Sequence, residues 1–395
     1  MARLWSCGFE LNSLSIEGFN NSFSAAVTQS TTTVRTGTYS VRAQSSVQKG
    51  SGRQFVAANN NGPFFARVYI NVATLPSAET TIAAFANSSA IIQESITIDA
   101  SGQLRLKANG TTVGSASSAV TTNTWNSIEM WFDATGSGAT DTGKARLNGV
   151  EFASSSTLNF SAGVVMFVVG INMNTDGSTG GDIYFDDIAV NNNSGSFQNS
   201  YPGEGKVLTL RPNAAGDTAG WTRGGTDTGA NYSQVNETTP DDITTYVTTN
   251  TLNTEDLYNV GNSGIGASDT VNVVTFSVRF RSSSTTLTPT FVVEVEKTSG
   301  GTISQSSGLT PTSTAWRSFV TNSAFSDTFV LHQDPDNNNW TQSTLDSMQM
   351  GLKCTAGNTN SAQVSNIWAN VDYTPVAVST VSPSVYITYI PPFLT

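Results

Sequence analysis

Few side chains in this 395-residue chain are equipped for chemistry. The single histidine, His332, precedes the turn-prone Asp334-Pro335-Asp336 and has no G-x-S-x-G nucleophile pattern beside it, so it reads as a solvated loop residue. Cys7 and Cys354 lie near opposite ends of the chain and read as free, buried residues. With His332 they are the only Cys and His present, and they lack the spacing of a zinc site. Glycoside hydrolysis needs two carboxyls about 5 to 10 Å apart. The nearest candidate is Glu294-Val295-Glu296, where both carboxyls share one strand face, and a solvated face is the plainer reading. Asp186 and Asp187 are adjacent, so a regular strand sends them to opposite faces and gives no dyad.

Two binding chemistries have a better case. Calcium takes carboxylate, amide and carbonyl oxygens from loops. Asn174, Asp176 and Asp182 offer such oxygens around Gly177, although the stretch is not an EF-hand loop and also reads as a polar turn. Asp334, Asp336 and Asn337 form a sparser set. A sugar can stack on an exposed ring, and Trp131 is the candidate, because it opposes the Ile128/Met130/Phe132 face of its strand. Core or interface packing is the competing reading for that ring.

Composition bounds the remaining classes. Only 12% of residues are charged, against about 25% in an average soluble domain. Thr, Ser, Asn and Gln must therefore coat much of the surface. A net charge of −11, with 18 thinly spread Lys and Arg, argues against nucleic-acid partners and anionic membranes. No stretch reaches the roughly 18 apolar residues of a membrane span. The start of the chain, Met1 to Cys7, lacks a signal-peptide pattern.

The elements that would position these residues are strands. Residues 8–19 read as an opening strand and turn. Residues 95–110 predict a hairpin, with Ile96 and Ile98 returning as Leu104 and Leu106. Residues 123–136 alternate as a strand, and Asn148-Gly149 between two alternating pairs predicts a tight hairpin. Residues 164–171, apolar on both faces, predict a central strand, and residues 181–193 a closing one. An Asn/Ser/Gly-rich boundary over 191–204 separates this unit from a second, with alternating runs at 273–281, 289–297, 315–320 and 363–373. Short helices fit 253–258 and 341–348. The expected organisation is all-β: two tandem jelly-roll-like sandwiches at 1–196 and 205–373, a linker at 197–204, and an apolar C-terminal arm at 374–395. The arm carries Val385, Tyr386, Ile387, Tyr389 and Ile390, an apolar strand that should pair with its own domain or another subunit.

These residues carry two resemblances that together span most of the chain. ITIDASGQLRLKANG, TWNSIEMWFD and KARLNGVEF within 95–152 resemble the core of laminin-G-like or concanavalin-like jelly rolls. In those folds a closing strand, here YFDDIAV, pairs with the opening one, here GFEL. Concanavalin-like glycanases usually place an Asp between two Glu on one face, which Glu294 and Glu296 lack. GEGKVLTLRPNAAGDTAGWT, DPDNNNWTQSTLDSMQMGLK and VSNIWANVDY resemble a module of phage particle proteins. The resemblances imply a non-enzymatic virion protein, a capsid decoration, head fibre or tail component, assembled in host cytoplasm and exposed after lysis. Its expected partners are other virion subunits, copies of itself and a host-surface glycan. No cofactor is expected, calcium being the one with a case. The alternatives are a glycan-binding adhesin and a polysaccharide-degrading enzyme.

Overall fold

In a computed structural model, the described residues are 2–19, 21–23, 25–44, 49–137, 139–174, 180–318 and 329–376. They are nearly all β and form two antiparallel sandwiches. In the first, sheet A runs Val150–Leu158, Asp141–Leu147, Trp125–Asp133, Phe64–Thr74, Asp182–Asn192, Ser40–Gln44, Thr28–Ser30. Arg3–Cys7 also pairs with Asp182–Asn192. Sheet B runs Thr111–Val113, Leu104–Ala108, Ile92–Ile98, Thr80–Ala86, Met166–Ile171, Lys49–Gln54, Asn21–Ser22. Between the sheets lies one apolar core that includes Trp5, Phe64, Phe85, Phe132, Phe167 and Phe185.

The second sandwich packs sheet C on sheet D. Sheet C runs Thr222–Gly225, Thr245–Thr249, Ala362–Thr374, Thr270–Ser282, Arg317–Ser318, with Lys206–Leu210 on Ala362–Thr374 and Phe329–Leu331 on Thr270–Ser282. Sheet D runs Pro212–Ala219, Glu255–Val260, Gln349–Ala356, Thr290–Glu296, Ile303–Gln305. Its core is separate and includes Trp221, Phe276, Phe291, Trp340 and Met350.

The alternating runs account for most of this. Ile98 faces Leu104 and Ile96 faces Leu106 across their hairpin. Asn148 and Gly149 take φ of +50° and +77°, as a tight two-residue turn requires. Met166–Ile171 is buried along its whole length between two partner strands. A capping box at Thr341 starts the helix Gln342–Ser347.

Three expectations are corrected. The opening strand is Arg3–Cys7 and not GFEL, because Phe9 adopts φ of +64° and turns the chain out of the sheet. Residues 255–260 are a strand, since Leu257 is needed opposite Gly351 in sheet D. Asp186 and Asp187 do not part to opposite sides. A bulge, with Asp187 at φ of +51°, turns both carboxylates to the 35–36 turn. There Asp186 accepts from the Arg35 and Thr36 amides, and Asp187 from the Thr36 hydroxyl and the Arg35 guanidinium.

Candidate functional site

The outer face of sheet A holds charged and aromatic side chains in cross-strand rungs. One rung is Lys144, Trp131, Phe65; the next is Arg146, Glu129, Arg67. Residues 197–205 run over this face. The Tyr201 ring meets Trp131 edge-on at 6.2 Å and Phe65 at 5.3 Å, under the Arg146 guanidinium 3.7 Å away. The Gly203 amide donates to Glu129 Oε1 at 2.7 Å. Trp131 is therefore not an open platform. Phe65 and Tyr201 pack on it, and Lys144 Nζ lies 4.7 Å from its ring centroid.

Beneath the linker, the same face joins the second sandwich. Asp372 of sheet C accepts from Arg3 Nη1 at 2.7 Å and from Arg67 Nη2 at 2.9 Å, and all three side chains are fully buried. Burial alone would raise the Asp372 carboxyl, but Arg67 and Arg3 outweigh it and hold it below the usual value. Asn191 and Ser6 accept further bonds from Arg3, and Asn272 donates to the other Asp372 oxygen. Arg35 spans Asp187 and the Gly205 carbonyl. Beside these ions Trp368 packs against Leu11 and Ile16. This is a joint, and strand alternation could not reveal it, because a pattern marks an outward face without saying what covers it.

The outer face of sheet B carries a different feature. Ala84, Ala86, Met166, Val168 and Met173 form a buried apolar floor flanked by Phe23 and Ile92. Beside it opens a groove of about 580 Å³, whose apolar lining is Phe23, Ile91, Ile92 and Met173 and whose polar lining includes Ser95, Asn109, Ser161 and Asn174. Ser161 donates to Gln93 Oε1 at 2.7 Å, which fixes the rim. Of the calcium residues only Asn174 reaches this groove. Asp182 is held bidentate by Arg42 at 2.7 and 2.5 Å, and Asp176 lies outside the described residues. Asp334 and Asp336 are bridged by Lys297. Among the described residues no group of three or more His, Cys, Asp or Glu is placed to hold a metal ion. The arm residues Val385, Tyr386, Ile387, Tyr389 and Ile390 also lie outside the described residues.

Two further readings change. Glu294 and Glu296 are buried, not solvated. Lys353 Nζ stands 3.1 Å from Glu255 Oε1 and 3.6 Å from Glu294 Oε1, and Gln305 donates to Glu294. Burial, then Glu255, pushes the Glu294 carboxyl up to about 7, while its contact with Glu294 keeps Glu255 low. Glu294 is thus held in a buried cluster with Glu255, Lys353 and Gln305. His332 is half-buried rather than fully solvated. Its ring stacks on Phe197 at 5.5 Å, and burial, then Arg3, lowers it to about 4. Cys7 and Cys354 are free and buried.

No family model matches the chain, and no curated protein matches it. Among solved structures, it is similar to the cellulose induced protein Cip1 at 15% identity, over 42% of this chain and 84% of that one, with a TM-score of 0.33. The binding domain of Paraclostridial Mosquitocidal Protein 1 matches at 14% identity, over 57% and 61%, with a TM-score of 0.35. Trypanosoma rangeli sialidase matches at 9%, over 42% of this chain but only 27% of that one, with a TM-score of 0.30. Likenesses this weak carry no functional argument.

Proposed function

We propose that the chain is a non-enzymatic structural component of a bacteriophage particle, in which the two sandwiches act as one rigid body. The observation that carries this reading is the joint. Arg3, Arg67 and Asp372 are withdrawn from water between two cores that are otherwise separate. Burying three charges is costly unless the geometry is fixed, so such a joint suits a part that must hold its shape. The sparsely charged surface and the apolar 385–390 segment suit assembly among neighbouring subunits. Cryo-electron microscopy of the intact particle tests the proposal. It expects density for two sandwiches at fixed mutual angle on capsid or tail, and absence of the chain from particles refutes it. A chain ending at Val376 is expected to fold and to be lost from particles; its normal incorporation would remove the arm from the assembly role.

A second reading, glycan binding on the same particle, is favoured by the sheet B groove. Its lining mixes the apolar Phe23, Ile91, Ile92 and Met173 with the amides and hydroxyls of Asn109, Asn174, Ser95 and Ser161, which suits a neutral sugar that has both apolar and hydrogen-bonding faces. A glycan array with the full chain tests it, and Asn109→Ala with Ser161→Ala should reduce any signal. A signal removed instead by Trp131→Ala would move the site to sheet A. The full chain is required, because a 1–196 fragment would strand Arg3 and Arg67 without Asp372.

A further inference from the structure

We infer that the outer edge of strand Val150–Leu158 is a docking site for the 385–390 segment of a second copy of this chain. The inference rests on the reading of residues 374–395 as an assembly arm and names the surface the arm would meet. Val150–Leu158 ends sheet A and runs for nine residues. The other three terminal strands of this sandwich have two or three. A long free edge offers a row of unpaired amides and carbonyls, and proteins usually blunt it with Lys, Pro or a cover. Here the sequence VEFASSSTL contains neither, and Glu151 is its one charge. Val150 is 70% exposed. The Thr157 amide turns to the Ser155 hydroxyl, and among the described residues no strand pairs with this edge.

The edge is accompanied by a groove. Where Val150–Leu158 of sheet A faces Thr111–Val113 of sheet B, a space of about 470 Å³ opens between Val113, Gly114, Ser154, Thr157 and Leu158. Gly114, at φ of +64°, brings the chain close against Ala153. A strand added to Val150–Leu158 would send every second side chain into this seam and the others to solvent.

The 385–390 segment has the matching properties. Its six residues are β-branched or aromatic, uncharged, and bounded by Pro383 and Pro391. At roughly 3.3 Å per residue it spans about 20 Å, within the edge's length of about 30 Å. Paired as a strand, it would present Val385, Ile387 and Tyr389 on one side. A second copy is the donor for a steric reason. The described chain leaves near Glu204 and Asp269, through Thr374 and Val376. The direct path from there to Val150–Leu158 crosses the outer face of sheet A, which Tyr201, Gly203 and Arg146 already fill.

Photo-cross-linking of the full chain, with benzoylphenylalanine at position 386 and an equal mixture of ¹⁵N-labelled and unlabelled protein, tests this. The expected cross-links join position 386 to residues 108–114 or 150–159 in mixed-label pairs. Ile387→Asp should abolish them and leave thermal unfolding unchanged. Cross-links confined to one chain, or directed elsewhere, overturn the inference. Either result is independent of whether microscopy finds the chain on the particle.

Discussion

Glu17 and His332 are the residues whose environments make the sharpest solution predictions. Glu17 is buried beside Cys7, accepting from the Leu11 amide at 2.9 Å and from the Cys7 thiol at 3.3 Å. Burial outweighs both bonds and pushes its carboxyl up to about 7. The folded value lies above the unfolded one, so the fold prefers the protonated acid. Stability is full below about pH 4.5, falls as pH rises to about 7, and is flat above, a loss of about 3 kcal/mol. Glu17→Gln should flatten that slope in urea titrations between pH 4.5 and 8; an unchanged slope would place the proton elsewhere. His332 is shifted the opposite way. Its imidazole stays neutral in the fold, so its contribution holds above about pH 6.5 and is lost as pH falls towards 4. As the only histidine it is directly readable by NMR, and a midpoint near 6.5 would contradict its half-buried position on Phe197.

At the scale of elements, the joint depends on where three strands meet. Arg3 lies on Arg3–Cys7, Arg67 on Phe64–Thr74 and Asp372 on Ala362–Thr374. Asp372→Asn would leave two buried guanidinium groups without a counter-charge, at a cost of about 3–5 kcal/mol. Replacing Arg67 with Met together with Asp372→Asn should recover part of that loss, because one uncompensated charge goes with it. Chemical denaturation of the single and double variants measures both. The elements themselves were largely legible. Alternation marked Trp125–Asp133 and Ala362–Thr374, and Asn148-Gly149 marked its turn. The bulge at Asp186 was not, because a positive φ at an Asp leaves no trace in a polar/apolar pattern.

At the scale of the molecule, the two cores should behave as one unit. Trp368 on Leu11 and Ile16, together with the buried ions, ties unfolding of either sandwich to exposure of the other's charges. Calorimetry should show one transition for the native chain. Trp368→Ala, costing about 3–5 kcal/mol, should separate it into two. Two transitions in the native protein would mean that the joint is weaker than its burial implies.

The sequence by itself determined that this is an all-β chain, because a period of two records which side of each strand meets an interior. It also argued against zinc and held no G-x-S-x-G motif, because those chemistries require residues in recognisable number and spacing. The tertiary structure decided the rest. It covered Trp131 with Tyr201, turned Asp182 to Arg42, buried Glu294 and stacked His332 on Phe197. The reason is physical: an outward-facing side chain has the same local pattern whether water, a linker or a second sandwich lies against it, and only long-range packing makes that choice.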